Sequence, residues 1–289
     1  MATESGAAIG RLTTRADRVV RVKPRSGWAL PDLSEMLAYR ELLLILVRRN
    51  IKIRYKQTAL GVAWAVLQPI LGTVVFTVFF NHVAGIKSLK GLPYPVFALS
   101  GLATWNFFSI GLTQASDSLV SGAALVSKVY FPRMLVPLAA VLAGGIDFVV
   151  TLILLLVVMA AYGLTPGIAV LWLPVFALLL ASVTVAFSVF SSALNTRYRD
   201  VRYVVPFLTQ LWLFLTPIVY PSSLLHGPWR TIIGLNPMVG VVDGVRWCMI
   251  ARFPRPGLVL VPSLLVTAVV LFGSLLYFAR AERTMADVV

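Results

Sequence analysis

Acidic side chains are scarce in this sequence. Its 289 residues hold eleven Asp and Glu, and only Asp117, Asp147, Asp200 and Asp243 fall between Glu41 and Glu282. No convincing carboxylate pair for acid–base work exists in so thin a set. Cys248 is the single cysteine, which excludes an internal disulfide and a thiolate metal cluster. His82 and His226 are the only histidines. They lie far apart in the chain, and the carboxylates a two-histidine site would need are missing, so no metal site is expected. No GxxxxGK[ST] phosphate loop occurs. The nearest run, Gly85-Ile-Lys-Ser, is too short, so the chain lacks that route to ATP. G-x-S-x-G and H-E-x-x-H are absent too. The first 30 residues are basic but contain no apolar core of a secretory signal. Insertion into a membrane is therefore expected to be directed by the first spanning helix.

Apolar residues fill that space. They make up 59% of the chain against 12% charged residues, where a soluble domain carries about 25% charged. Mean hydropathy is +0.88. A soluble fold of this size cannot hide so much apolar surface, whereas lipid accepts it. The net charge of +14 suggests nucleic acid at first sight, but its distribution argues otherwise. Twelve of the 25 Lys and Arg precede residue 61, and most of the rest sit between apolar runs. That is cytoplasmic anchoring charge, and no nucleic-acid partner is expected.

Each spanning helix needs about 20 residues. Apolar runs of that order lie at about 61–80, 95–116, 134–162, 168–194, 203–220 and 257–279. The predicted fold is an all-α polytopic membrane protein with six transmembrane helices. With the N-terminus inside, nineteen Lys and Arg fall on the inner side and six on the outer. Both termini are therefore expected in the cytoplasm. Residues 221–256 resist this count. Pro221, Gly227, Pro228, Pro237, Gly240, Gly244, Pro254 and Pro256 break them into short apolar pieces. A seventh crossing would carry Arg280 and Arg283 outside, so a re-entrant hairpin before the last helix is preferred. Asp243 and Arg246 in this stretch share one helix face.

The tail at 1–30 reads as flexible and basic. Over 31–60, Asp32 and Glu35 match a capping box, and Leu33, Met36, Leu37, Leu43, Leu44 and Val47 give an apolar surface to a helix ending near Val47. Arg48, Arg49, Lys52, Arg54 and Lys56 follow. Such a segment suits the interface of an anionic leaflet; it serves equally as a topology anchor.

Three further features carry two readings each. Asp147 lies within an apolar run, beside Gly144 and Gly145. It is either a functional carboxylate or a structural one that helps helices pack, and no second intramembrane acid supports a proton relay. Trp64, Phe76, Trp105, Phe107, Phe108 and Phe187 either stack on sugar rings or serve as lipid contacts and interfacial belts. Leu125, Lys128, Tyr130, Phe131 and Arg133 mix apolar, aromatic and basic character in an inner loop. They form either a grip for a cytoplasmic partner or an ordinary basic turn.

Five motifs resemble one family. RRNIKIRYKQTALGVAWAVLQP (48–69), KVYFPR (128–133), LNTRYRDV (194–201), TPIVYP (216–221) and LNP (235–237) are similar, in order, to ABC-2 type permeases that export polysaccharides and polyol phosphates. The resemblance spans about 35–280 and implies an ABC-2 transmembrane domain over 61–280, with a cytoplasmic tail at 281–289. It implies a homodimer in a bacterial plasma membrane, working with two copies of a cytoplasmic ABC ATPase. ATP and Mg would bind in that ATPase, and this chain would hold no cofactor and not be catalytic itself. It further implies an interface helix at 32–47 and a coupling helix within 119–132 that includes Leu125 and Lys128. The cargo would be a glycan on a polyprenyl diphosphate, O-antigen or cell-wall type, with Arg48, Arg49, Lys52, Arg54 and Lys56 meeting the diphosphate. Rival readings are an ABC-2 exporter of a drug or small lipid, a membrane-embedded glycosyltransferase or polymerase, and a membrane scaffold.

Overall fold

The computed structural model describes residues 33–56, 61, 63–89, 91–128, 130–222 and 232–283. The basic tail, the cap at Asp32 and the 223–231 part of the broken segment lie outside the described residues. Among the described residues the chain is helical, with no strand.

Two helices open the fold, α1 (Leu33–Ala38) and α2 (Arg40–Tyr55), separated by a turn at Tyr39. The expected stop near Val47 does not occur. Arg and Lys are good helix formers, and Lys52 and Arg54 in the last turn of α2 complement its negative end. The cations are thus part of the helix rather than a sequel to it.

Helix α3 (Ala63–Phe76) continues as a π-helical turn, Thr77–Val83. Helix α4 (Tyr94–Ser121) follows, then the short α5 (Ala123–Lys128). The expected single span at 134–162 is two helices, α6 (Leu135–Ala143) and α7 (Gly145–Ala161), broken at Gly144. Two adjacent glycines are poor helix formers, and the Gly144 amide closes a tighter bond to Val141 at 3.0 Å. A 3₁₀ turn, Ile168–Trp172, leads into α8 (Leu173–Arg197). Then come α9 (Val201–Leu215), α10 (Pro237–Met249) and α11 (Leu260–Ala281).

Among the described residues, five segments are long and apolar enough to cross a bilayer: Ala63–Val83, Tyr94–Ser121, Leu135–Ala161, Ile168–Arg197 and Leu260–Ala281. The expected run at 203–220 yields only the 15 residues of α9, about 22 Å of helix. It stops where Thr216 precedes Pro217 and takes an extended conformation, φ −106° and ψ 138°, because proline disfavours the helical state of the residue before it.

Helix α4 is the axis of the bundle. Its most apolar window is 78% buried, against 17% for α3 with its π turn and for α11. It packs on α3, α6, α7, α8, α9 and α10. At 28 residues it is about 42 Å long, more than a hydrocarbon core of about 30 Å. Gly111 brings it against α8, where an added Cβ would lie 2.9 Å from Thr184.

Two poles can be told apart. At one, Leu46, Leu119, Val126, Phe131, Met134, Leu135, Val189, Ala193 and Phe278 form an apolar cluster. It gathers the middle of α2, the ends of α4, α8 and α11 and the start of α6. At the other pole lies α10, twelve of whose thirteen residues are buried.

Candidate functional site

Residues 45, 48, 49, 52, 53 and 56 recur every three or four positions, so they share one face of α2. Ile45, Arg48, Arg49, Lys52, Ile53 and Lys56 line a recess of about 500 Å³ there. The four cations are exposed. The two isoleucines are 60% and 65% exposed. Cations around a short apolar floor suit a ligand with a phosphate head and a hydrocarbon part.

The fifth cation is elsewhere. Arg54 projects from the opposite face of α2 into the bundle, where its guanidinium forms an ion pair with Asp147 of α7 and donates to the Gln114 amide oxygen of α4. The Tyr55 hydroxyl donates to the other carboxylate oxygen of Asp147. The partner that an intramembrane carboxylate needs thus comes from the basic cluster, not from a second spanning helix. Helix α2 packs along α6, joining the cluster around Leu135 at its middle, and the side chains of its last turn reach Asp147 of α7.

The inner-loop residues divide by exposure. Phe131 is 4% exposed and belongs to the apolar cluster, while Leu125 is half-buried against it. Lys128 and Tyr130 are exposed. The Tyr130 hydroxyl donates to Glu35 of α1 at 3.5 Å. Partial desolvation, and then the Glu35 carboxylate, raise the phenol pKa above its usual value, which keeps it a neutral donor. The Arg133 guanidinium donates to the Glu282 carbonyl at 2.9 Å, and its backbone amide to the Glu282 carboxylate at 3.1 Å. This loop is therefore tied to both ends of the helical chain.

The aromatic candidates also divide. Trp105, Phe107 and Phe108 are 4%, 7% and 0% exposed, so they are core residues and face no channel in this structure. Phe108 meets Phe187 and Trp212 edge-on, with centroids 6.1 and 5.1 Å away. Trp64 is 45% exposed, and Phe76 is half-buried against Phe80.

At the far pole, Arg246 has no exposed surface. Its guanidinium donates to the carbonyls of Pro217 at 2.6 Å and Ile218 at 2.8 Å. It lies 3.8 Å from the Phe97 ring centroid and 3.7 Å from Asp243. Ser222 donates to Asp243 at 2.6 Å, and Tyr94 donates to the Val219 carbonyl at 2.9 Å. The side chain of Asn236 caps α10, accepting from the Met238 amide at 3.0 Å, and also donates to Thr216 at 3.0 Å. The sequence pointed to the Asp243–Arg246 pair but not to these carbonyls, because nothing local marks backbone that needs a donor.

The helical bundle defines the class, a polytopic membrane protein. Residues 41–250 match the ABC-2 type transporter family. The chain is 33% identical over 215 residues to the O-antigen export system permease protein RfbA of Myxococcus xanthus, covering 73% of this chain and 81% of that protein. It is 30% identical over 203 residues to RfbA of Klebsiella pneumoniae, covering 70% and 77%. The polysialic acid transport protein KpsM of Escherichia coli is 24% identical over 258 residues, covering 83% and 93%. This chain belongs to the ABC-2 type transporter family.

Proposed function

We propose that the chain is the membrane permease subunit of an ATP-driven exporter of polysaccharide. The carrying observation is the 33% identity to an O-antigen export permease across 73% of the chain. The KpsM relative, a transporter of another glycan polymer, widens the reading to polysaccharide as a class.

In this reading the chain crosses a bacterial plasma membrane six times, with both ends in the cytoplasm. The fifth crossing is α9, completed by the irregular run Thr216–Tyr220, and the sixth is α11. Non-helical backbone at membrane depth must have its polar groups satisfied by protein, and Arg246, Tyr94 and Asn236 contact this run. Helix α10 is then the described part of a re-entrant outer hairpin. Two permeases pair and open a path between them, and two cytoplasmic ATPases bind ATP and Mg. Lys128 and Tyr130, exposed beside α5, face the ATPase, while Phe131 and Arg133 anchor that contact to the bundle. The recess on α2 receives the diphosphate of a polyprenyl-linked glycan through Arg48, Arg49, Lys52 and Lys56. Of the aromatics, Trp64 and Phe76 on α3 touch the passing sugar chain in this reading, a role their partial exposure supports.

Depletion of the permease in cells that have no second exporter tests this. Lipid-linked glycan should accumulate at the cytoplasmic face and disappear from the surface. Normal surface glycan would refute the assignment.

A further inference from the structure

Arg54 cannot join the recess on α2 without leaving both Asp147 and Gln114, since it lies on the opposite side of the helix. Its two partners are placed on either side of the inner loop. Gln114 lies on α4, which ends at Ser121 just before that loop. Asp147 lies in the first turn of α7, directly past the break at Gly144, and α6 on the other side of the break starts at Leu135, just after the loop. The inner loop therefore joins the two elements, α4 and α6, that lead to the two partners of Arg54. The guanidinium spans the two arms, and the Tyr55 hydroxyl holds the second carboxylate oxygen. Both charged side chains are largely screened from solvent, at 19% and 21% exposure. An ion pair so placed resists gradual stretching, because parting leaves an uncompensated charge. It favours two discrete arrangements.

We infer that Arg54, Tyr55, Gln114 and Asp147 form a polar joint that links α2, and the basic recess it carries, to movement of the ATPase-facing loop, without shaping the recess itself. Arg54 is a positioning residue and not a ligand of that lipid. The inference rests on the reading of the recess as the lipid entrance, and the readouts below separate the two.

The permease is reconstituted with its ATPase partner in proteoliposomes. Wild type is compared with Asp147→Asn, Arg54→Gln, Gln114→Ala and the charge exchange Arg54→Asp with Asp147→Arg. Lys52→Gln serves as the ligand control. The probe is polyprenyl diphosphate. Asp147→Asn and Arg54→Gln should bind it within about twofold of wild type, while its stimulation of ATP hydrolysis falls about tenfold, the usual size of coupling between linked sites. Gln114→Ala, a mild neutral change, should weaken stimulation in the same direction, and the charge exchange should restore at least half of it. Loss of binding in Arg54→Gln equal to that in Lys52→Gln would make Arg54 a ligand and overturn the joint. Wild-type stimulation in Asp147→Asn, or no recovery in the exchange, would overturn it too. A second readout needs no lipid. Spin labels at the exposed positions 53 and 157 should change separation when ATP binds to the wild-type complex and hold still in Asp147→Asn. A rigid pair in wild type would overturn the joint even if lipid binding to the recess were confirmed.

Discussion

A guanidinium with no exposed surface needs every available partner, since an unpaired buried charge is costly. Arg246 finds two carbonyls, an aromatic face and a carboxylate. Arg246→Ala would strip the donors from the carbonyls of Pro217 and Ile218 and leave Asp243 without its cation. The expected loss is about 3–5 kcal/mol, read as a lowered thermal midpoint of the purified protein. Arg246→Lys should recover only part of it, because an ammonium lacks the planar fork that reaches both carbonyls. A second residue-scale prediction concerns Gly244. An added Cβ there would lie 1.9 Å from the Phe176 ring, so Gly244→Ala should cost about 1–3 kcal/mol through overpacking. Phe176→Leu in the same chain should relieve part of that cost. If Gly244→Ala melts with wild type, α10 does not pack on α8 as described. The glycines at 240 and 244 were visible in the sequence only as breaks in an apolar run. Their use as a close contact, with the Gly240 amide donating to Ser263 at 3.2 Å, depends on packing against α8 and α11.

Among the elements, the apolar runs were legible because spanning helices need length and hydropathy, which are local properties. The element ends were harder to place. α2 runs eight residues past its expected end, and a turn of long cations reads in sequence as a boundary though it is good helix. α9 ends early at Thr216 because proline acts on the residue before it. The broken stretch near 237–249 was legible as irregular, but not its nearly complete burial. The basic cluster was legible as five cations, whereas only the helical phase separates the four on the recess from Arg54. That split yields a prediction for α2 as a whole. Replacing Arg48, Arg49, Lys52 and Lys56 together by Gln should abolish binding of polyprenyl diphosphate and leave the fold intact, since all four are exposed. The wild-type binding should weaken steeply with added salt, as exposed charges are screened beyond about 8–10 Å at physiological ionic strength. Salt-independent binding would place the diphosphate elsewhere.

Across the whole molecule, the two poles divide the work. One pole gathers α2, the loop around α5 and the end of α11, with Arg133 bonded to Glu282 and Tyr130 to Glu35. Force applied at that loop reaches both ends of the helical chain. The other pole holds irregular backbone and the buried α10 around Arg246. The axis α4 runs between them and carries both Phe97, beside Arg246, and Gln114, beside Arg54. Such an arrangement fits a permease whose energy arrives at one end and whose exit lies at the other. Export by this chain with an ATPase partner is tested most directly by ATP-dependent transfer of a polyprenyl diphosphate-linked glycan across proteoliposomes that contain only the permease and that ATPase. Glycan should reach the far side with ATP, and none should do so without ATP or when the permease is omitted. Hydrolysis of ATP at full rate with no glycan transferred, for any chain length offered, would contradict it.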